Sequence, residues 1–199
     1  MNIAVFDYGA GNLHSLVKAL EAPGRVVRLD TDLRTALQTD LLVLPGVGAF
    51  SSAAVRMADA RDAARDALRR GLPCLGICLG MQLLFSESDE GPGCGLQFID
   101  GRVTRLNAAQ VPQIGWNTLE ESRDPAFAGA ALRTAYYANS YVCRPADPSC
   151  IVAWSTHESD RFAAAVRVGN TLGVQFHPEK SSAPGVAFIQ QFLTDVTSD

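Results

Sequence analysis

The sequence predicts an α/β fold: a mostly parallel central sheet flanked by helices, with additional antiparallel strands in the second half. Three observations carry this. Short apolar runs alternate with segments of helical period in the first half. Short strand-like segments separated by turn residues follow one another in the second. The composition, 47% hydrophobic and 19% charged over 199 residues, suits a folded chain with a sizeable core, and residues 1–199 are expected to form one domain.

Residues 3–6 form an unbroken apolar run, as a strand buried on both faces requires. Leu13, Leu16, Val17 and Leu20 recur at i, i+3, i+4 and i+7, which marks a helix. Residues 26–29 and 41–44 are the next strands, the latter closed by Pro45-Gly46-Val47-Gly48. Ser51 stands where it would cap an Ala-rich helix running to about residue 70. Residues 72–77 make a fourth strand. The βαβα order argues for parallel pairing with helices on both faces. Residues 102–106, 115–119, 135–142, 151–154, 162–168 and 171–176 then read as short strands, with Val168-Gly169-Asn170 as the turn signal between the last two. Residues 186–193 read as a closing helix. There is no internal repeat, linker or low-complexity tract.

Bulk properties narrow the chemistry. Net charge is −4, and no Lys/Arg cluster interleaves with aromatics, so nucleic-acid binding is set aside. The most apolar stretch, residues 71–85, is too short and too Gly-rich for a membrane span. The first residues enter a strand pattern directly, without a basic segment or cleavage site, so a cytoplasmic location is expected. The five cysteines are odd in number and include no Cys-x-x-Cys pair, and there are three histidines. Neither a zinc site nor a disulfide framework is indicated, and no metal or cofactor is expected. Reduced thiols fit a reducing compartment.

The segment Gly76-Ile77-Cys78-Leu79-Gly80 is the most informative. Glycines two residues before and after the cysteine permit a sharp strand-to-helix turn that lifts one side chain above the sheet. A helix start also stabilises negative charge on sulfur. Gln175-Phe176-His177-Pro178-Glu179 supplies a base and an orienter: in extended chain His177 and Glu179 point to the same side, and Pro178 biases His177 to that geometry. The competing pair His157-Glu158 reads as a polar loop, since adjacent residues in a strand face opposite ways, and His14 is assigned no ligand role. Gly46 and Gly48 flank Val47 at a strand end, where backbone N–H groups can be turned towards an oxyanion. Asp7-Tyr8-Gly9-Ala10-Gly11-Asn12 has His14 where a dinucleotide fingerprint needs its third glycine, so that fingerprint is rejected.

Taken together these motifs resemble the class I (triad) glutamine amidotransferases, and within them the glutaminase subunits of imidazole glycerol phosphate synthase. The resemblance spans the whole chain. It rests on the segment Asp7 to Asn12, on Pro45 to Gly48, on the cysteine turn through Met81 and Gln82, on Val111-Pro112-Gln113-Ile114-Gly115-Trp116-Asn117, on Asn139-Ser140-Tyr141 and on His177-Pro178-Glu179-Lys180-Ser181. It implies hydrolysis of the glutamine side-chain amide through a cysteine thioester, without metal or cofactor. Cys78, His177 and Glu179 would form the triad. Gly46, Val47 and Gly48 would form the oxyanion loop. Gln82, Glu90, Ser140 and Tyr141 would help to bind glutamine. Asn12, Gln113, Trp116, Lys180 and Ser181 would lie at or near the surface for a (β/α)8-barrel cyclase, to which ammonia passes in a heterodimer serving histidine biosynthesis. Gln113, Asn139 and Cys94 depart from the family pattern, which shows His, His and Leu there. They leave open a paralogous glutaminase that feeds a different synthase.

Overall fold

The structure is a computed structural model that describes residues 1–9 and 13–197. Among the described residues the chain runs β1 (Asn2–Phe6), α1 (His14–Leu20), β2 (Val26–Asp30), α2 (Leu33–Ala36), β3 (Leu41–Leu44), α3 (Phe50–Met57), α4 (Arg61–Arg69), β4 (Cys74–Ile77) and α5 (Leu79–Gln82). The second half holds β5 (Glu87–Ser88), β6 (Gly101–Arg105), β7 (Gln113–Thr118), α6 (Pro125–Ala130), β8 (Thr134–Asn139), β9 (Tyr141–Pro145), β10 (Ile151–His157), β11 (Asp160–Val168), β12 (Thr171–Val174) and α7 (Ser182–Asp195).

The central sheet has seven strands in the order β10-β11-β12-β4-β3-β1-β2. From β12 to β2 every pairing is parallel, and β10 and β11 extend it antiparallel beside β12. The apolar runs of β1, β3, β4 and β12 follow from this: each lies between neighbours with helices on both faces, so both side-chain sets are buried. Alternate residues feed two cores. Ile3, Val5, Val43 and Ile77 pack with Leu16, Phe188 and Phe192 on one face. Ala4, Phe6, Leu42 and Leu44 pack with Phe50, Met57 and Leu68 on the other. A three-stranded sheet, β5-β6-β9, and the two-stranded ribbon β7–β8 lie outside the central sheet.

Several elements differ from the sequence expectation. The Ala-rich segment is two helices parted by a 3₁₀ turn at Ala58–Ala60. Arg34 donates to the Asp59 carbonyl, the oxygen that an unbroken helix would offer one turn further on. Ser51 lies inside α3, whose N-cap is Ala49 and carries no side-chain cap bond. Residues 135–142 are not one strand: the chain leaves the ribbon at Asn139 and joins β6 from Tyr141 onward, with Ser140 at the crossing. The helix-like run of residues 79–85 that follows Cys78 is an α-helix only as far as Gln82. Helix α6 is an addition to the expected elements. Its start carries ordinary signals, because Asp124 caps it through the Ala126 N–H (3.0 Å) and Pro125 occupies its first turn.

The turn after β4 depends on close backbone packing. A Cβ on Gly80 would stand 1.9 Å from the Leu44 carbonyl oxygen, and one on Gly76 would stand 2.8 Å from that of Gly80. Both glycines are thus required by contact between β3, β4 and α5. Gly80→Ala should cost about 1–3 kcal/mol or more, as overpacking against rigid backbone does. Urea unfolding of the two chains measures this, and an unchanged midpoint would refute it.

Candidate active site

Cys78 follows directly on β4 and takes φ 48, ψ −105, a conformation that a side-chain-bearing residue holds only under constraint. The constraint is visible. Its N–H donates to the Val174 carbonyl at 2.6 Å, fastening the turn to the end of β12. The sulfur lies at a cavity of about 200 Å³ lined by Gly46, Gly48, Gln82, Glu90, Ser140 and Tyr141 among others. This is below the size of drug-binding pockets, roughly 300–1,000 Å³, and suits a ligand of amino-acid size.

His177 arrives from the neighbouring strand. Since β12 runs parallel to β4, with Val174 opposite Ile77, both chain segments leave the sheet at the same edge. The His177 N–H donates to the Tyr136 carbonyl at 2.8 Å, and Nδ1 lies 2.8 Å from Glu179 Oε1. The two side chains are 3% and 8% exposed. The pair forms by a route other than the expected one. His177 is extended, but Glu179 sits in a 3₁₀ turn, Pro178–Lys180, that folds its carboxylate back on the ring. Burial by itself lowers the His177 pKa. Hydrogen bonds to Cys78 and Glu179, together with their charges, override it and hold the value up at about 10. The imidazole is therefore cationic through the neutral range. Glu179 Oε2 is buried and has no hydrogen-bond partner among the described residues.

Gly46 is fixed by the same geometry. A Cβ there would stand 2.8 Å from His177 Cε1 and 2.9 Å from Cys78 Cβ, so only glycine lets this loop meet both groups. Gly48 has φ +107 and lines the cavity, whereas Val47 packs against the core. The preceding residue is held from the other side, because the buried Tyr8 hydroxyl donates to the Pro45 carbonyl. Opposite, the Glu90 carboxylate faces the cavity and also accepts the Phe50 N–H at 2.9 Å, which ties it to the start of α3. Gln82 Nε2 donates to the Tyr141 carbonyl (3.1 Å) and to Gln175 Oε1 (3.4 Å), and Gln175 Nε2 donates to Cys78 Sγ (3.5 Å).

The structure thus gathers Cys78, His177, Glu179, Gly46, Gly48, Gln82, Glu90, Ser140 and Tyr141. Residues expected at a partner surface divide. Trp116 is 56% exposed, and Lys180 is exposed. Gln113 and Ser181 are buried at 4% and 1%. Gln113 turns inward opposite Asn139 in the ribbon, and Ser181 Oγ accepts the Tyr136 N–H (2.9 Å) while donating to the His177 carbonyl (2.6 Å). Asn12 lies outside the described residues. Sequence reasoning missed the Gln175 contact with sulfur and the Tyr8 bond to Pro45. Both residues stood within the motifs it singled out, but their partners are distant in the chain. Among the described residues no cluster of three or more His, Cys, Asp or Glu could hold a metal ion, and no helix is long and apolar enough to cross a membrane.

The family model for glutamine amidotransferase class-I matches residues 4–196. The chain is 40% identical to the imidazole glycerol phosphate synthase subunit HisH of Gloeothece citriformis, covering 98% of this chain and 96% of that protein. It is 44% identical to the HisH subunit of Thermus thermophilus, over 95% of each chain. Among solved structures it superposes on a glutamine amidotransferase with a TM-score of 0.73 at 17% identity, and on PurLQS from Thermotoga maritima at 0.69 and 21%, each over 98% of both chains. Those two likenesses show the fold. The sequence matches go further: the chain belongs to the class I glutamine amidotransferase family, in its HisH branch.

Proposed function

We propose that this chain hydrolyses the side-chain amide of glutamine at Cys78 and passes the ammonia to a (β/α)8-barrel cyclase. There it would serve formation of imidazole glycerol phosphate and an aminoimidazole carboxamide ribotide in histidine biosynthesis. The observation that carries the reading is the junction of Cys78, His177 and Glu179 at a cavity rimmed by the Glu90 carboxylate.

The steps follow from what each group can do. Glu90 suits the α-ammonium of the amino acid, which leaves the side-chain amide free to reach the sulfur. The Cys78 thiolate attacks the amide carbon, and the oxyanion forms beside the loop of Gly46, Val47 and Gly48. His177, held protonated, gives its proton to the departing nitrogen, so ammonia leaves and a thioester remains. Water then attacks the thioester with His177 as base, which releases glutamate and restores the thiolate. Glu179 keeps the imidazole in orientation and favours its charged form. Gln82, Ser140 and Tyr141 hold the substrate against the cavity wall. Ammonia freed into water would become ammonium, which is a poor nucleophile, so direct transfer to the partner preserves its reactivity. The relatives are named as synthase subunits, which supports such a partner. Trp116 and Lys180 supply the exposed part of its docking surface. We place a gate at Gly46–Gly48, the peptide turning to its productive orientation when the loaded cyclase docks. One oxyanion donor is worth roughly 10²–10³ in rate.

Cys78→Ala should lower glutamine-dependent cyclisation by about 10³-fold or more while sparing cyclisation driven by added ammonium salt. An assay of both nitrogen sources in the reconstituted pair measures this, and equal loss of the two would count against the role of Cys78. Glutamine turnover by the isolated chain should rise at least tenfold when cyclase and its nucleotide are added, and equal rates would remove the gate.

The raised His177 pKa also sets a stability window. A group with pKa 6.5 unfolded and about 10 folded contributes in full below pH 6.5, and that contribution is lost as pH rises through about 10. The difference in Tm between wild type and Glu179→Gln should therefore be largest below pH 6.5 and narrow towards pH 10. A gap that widens over this range in calorimetry would contradict the assignment.

A further inference from the structure

The His157-Glu158 pair takes no part in the triad, yet it holds a loop. At the turn between β10 and β11 Glu158 takes φ +53. Its carboxylate accepts the backbone N–H groups of Ala109 at 2.8 Å and Gln110 at 2.9 Å. The His157 ring Nε2 lies 2.8 Å from the Gln110 carbonyl. Asp160 Oδ2 accepts the Asn107 N–H at 2.9 Å, and Arg144 grips the Asp160 carboxylate at 2.6 and 2.7 Å. One hairpin turn therefore clips residues 107–112, the exposed loop that joins β6 to β7. The two N–H bonds also hold the Glu158 carboxyl below the usual carboxylate range, which keeps it an anion and a strong acceptor.

The ends of that loop give the clip its consequence. At its start the Leu106 N–H donates to the Ser140 carbonyl at 2.9 Å. At its end Gln113 pairs with Asn139. Asn139, Ser140 and Tyr141 form one wall of the Cys78 cavity. The loop is thus bracketed by two attachments to that wall, and a shift of residues 107–112 would pull on both.

We propose that Glu158, supported by Asp160 and His157, is a positioning residue for the amino-acid substrate: by clipping residues 107–112 it fixes the wall at 139–141. The inference rests on reading the Cys78 cavity as the glutamine site. Glu158 is outside the cavity lining and acts through the loop alone.

The test is glutamine binding by isothermal titration to the full chain carrying Cys78→Ala, which prevents turnover. Adding Glu158→Ala should weaken binding about fivefold, on the scale of a lost hydrogen-bonded contact. Glu158→Gln should fall between, since its amide keeps one acceptor oxygen. In the active chain with its cyclase, KM for glutamine should rise by the same factor with kcat within about twofold. Amide exchange should quicken at Leu106, Ala109 and Gln110 and stay unchanged in β1, β3 and β4. Unchanged affinity with Glu158→Ala would overturn the inference, as would a general loss of exchange protection across the central sheet. Failure of the Cys78→Ala chain itself to bind glutamine would overturn the substrate reading, and this inference with it.

Discussion

The site exists because β12 pairs in parallel with β4. Nearly a hundred residues separate the two strands in the chain, and the pairing brings their carboxyl ends side by side, with Val174 opposite Ile77. Cys78 and His177 leave the sheet from this edge. On the other flank β3 is also parallel to β4, so the loop at Gly46 leaves from the same edge. Three loops converge where open parallel sheets gather ligands. A slip of one residue between β12 and β4 would move Leu172 and Val174 from one core to the opposite face of the sheet. It would also detach the Cys78 N–H from the Val174 carbonyl. The register that makes a core thus makes the site as well.

That arrangement carries a cost met by packing around it. Cys78 sits at φ 48, and an imidazole and a carboxylate are both more than nine-tenths buried behind it. Strain of this kind costs about 1–3 kcal/mol and persists where the surroundings leave no alternative. Here the surroundings are backbone: Gly80 lies against Leu44, Gly76 against Gly80, and Gly46 against His177 and Cys78. The buried pair is stable as a pair, because each charge answers the other. Removal of either member leaves a buried charge alone, which costs more than the pair contributes.

Much of this was legible in sequence because it is local. The apolar runs of β1, β3 and β4, the period of α1 and the glycine spacing around Cys78 depend on neighbours in the chain. The His177–Glu179 contact was also legible, although the residues meet through a 3₁₀ turn and not along an extended segment. What could not be read was long-range. Nothing in residues 171–176 names β4 as their neighbour. Nothing in Ser140 announces that the chain there crosses from ribbon to sheet. Gln113 and Ser181 belong to surface motifs by resemblance, yet tertiary packing buries both. The His157-Glu158 pair reads as a polar loop, but His157 ends β10 and only Glu158 lies in the turn; the loop that the pair grips begins some fifty residues earlier, and Glu158 reaches it over sequence separations of 49 and 48.

The buried position of Ser181 bears on how a partner could be felt at the sulfur. Trp116 projects from β7, exposed, and meets Tyr136 edge-to-face with ring centroids 6.4 Å apart. The backbone of Tyr136 is engaged on both sides: its carbonyl accepts the His177 N–H, and its N–H donates to Ser181 Oγ, which in turn donates to the His177 carbonyl. The His177 N–H is therefore held by the ribbon directly, and its carbonyl is linked to the ribbon through Ser181. The ribbon has only two strands and stands outside that sheet, and such a pair depends on what packs against it. A partner seated on Trp116 would add its packing to the ribbon. Through two hydrogen bonds that packing would bear on the backbone that aims the imidazole. The surface proposed for docking and the imidazole proposed as base are thus joined by contacts already made within the chain, so a partner on Trp116 would not need to reach the sulfur in order to affect it.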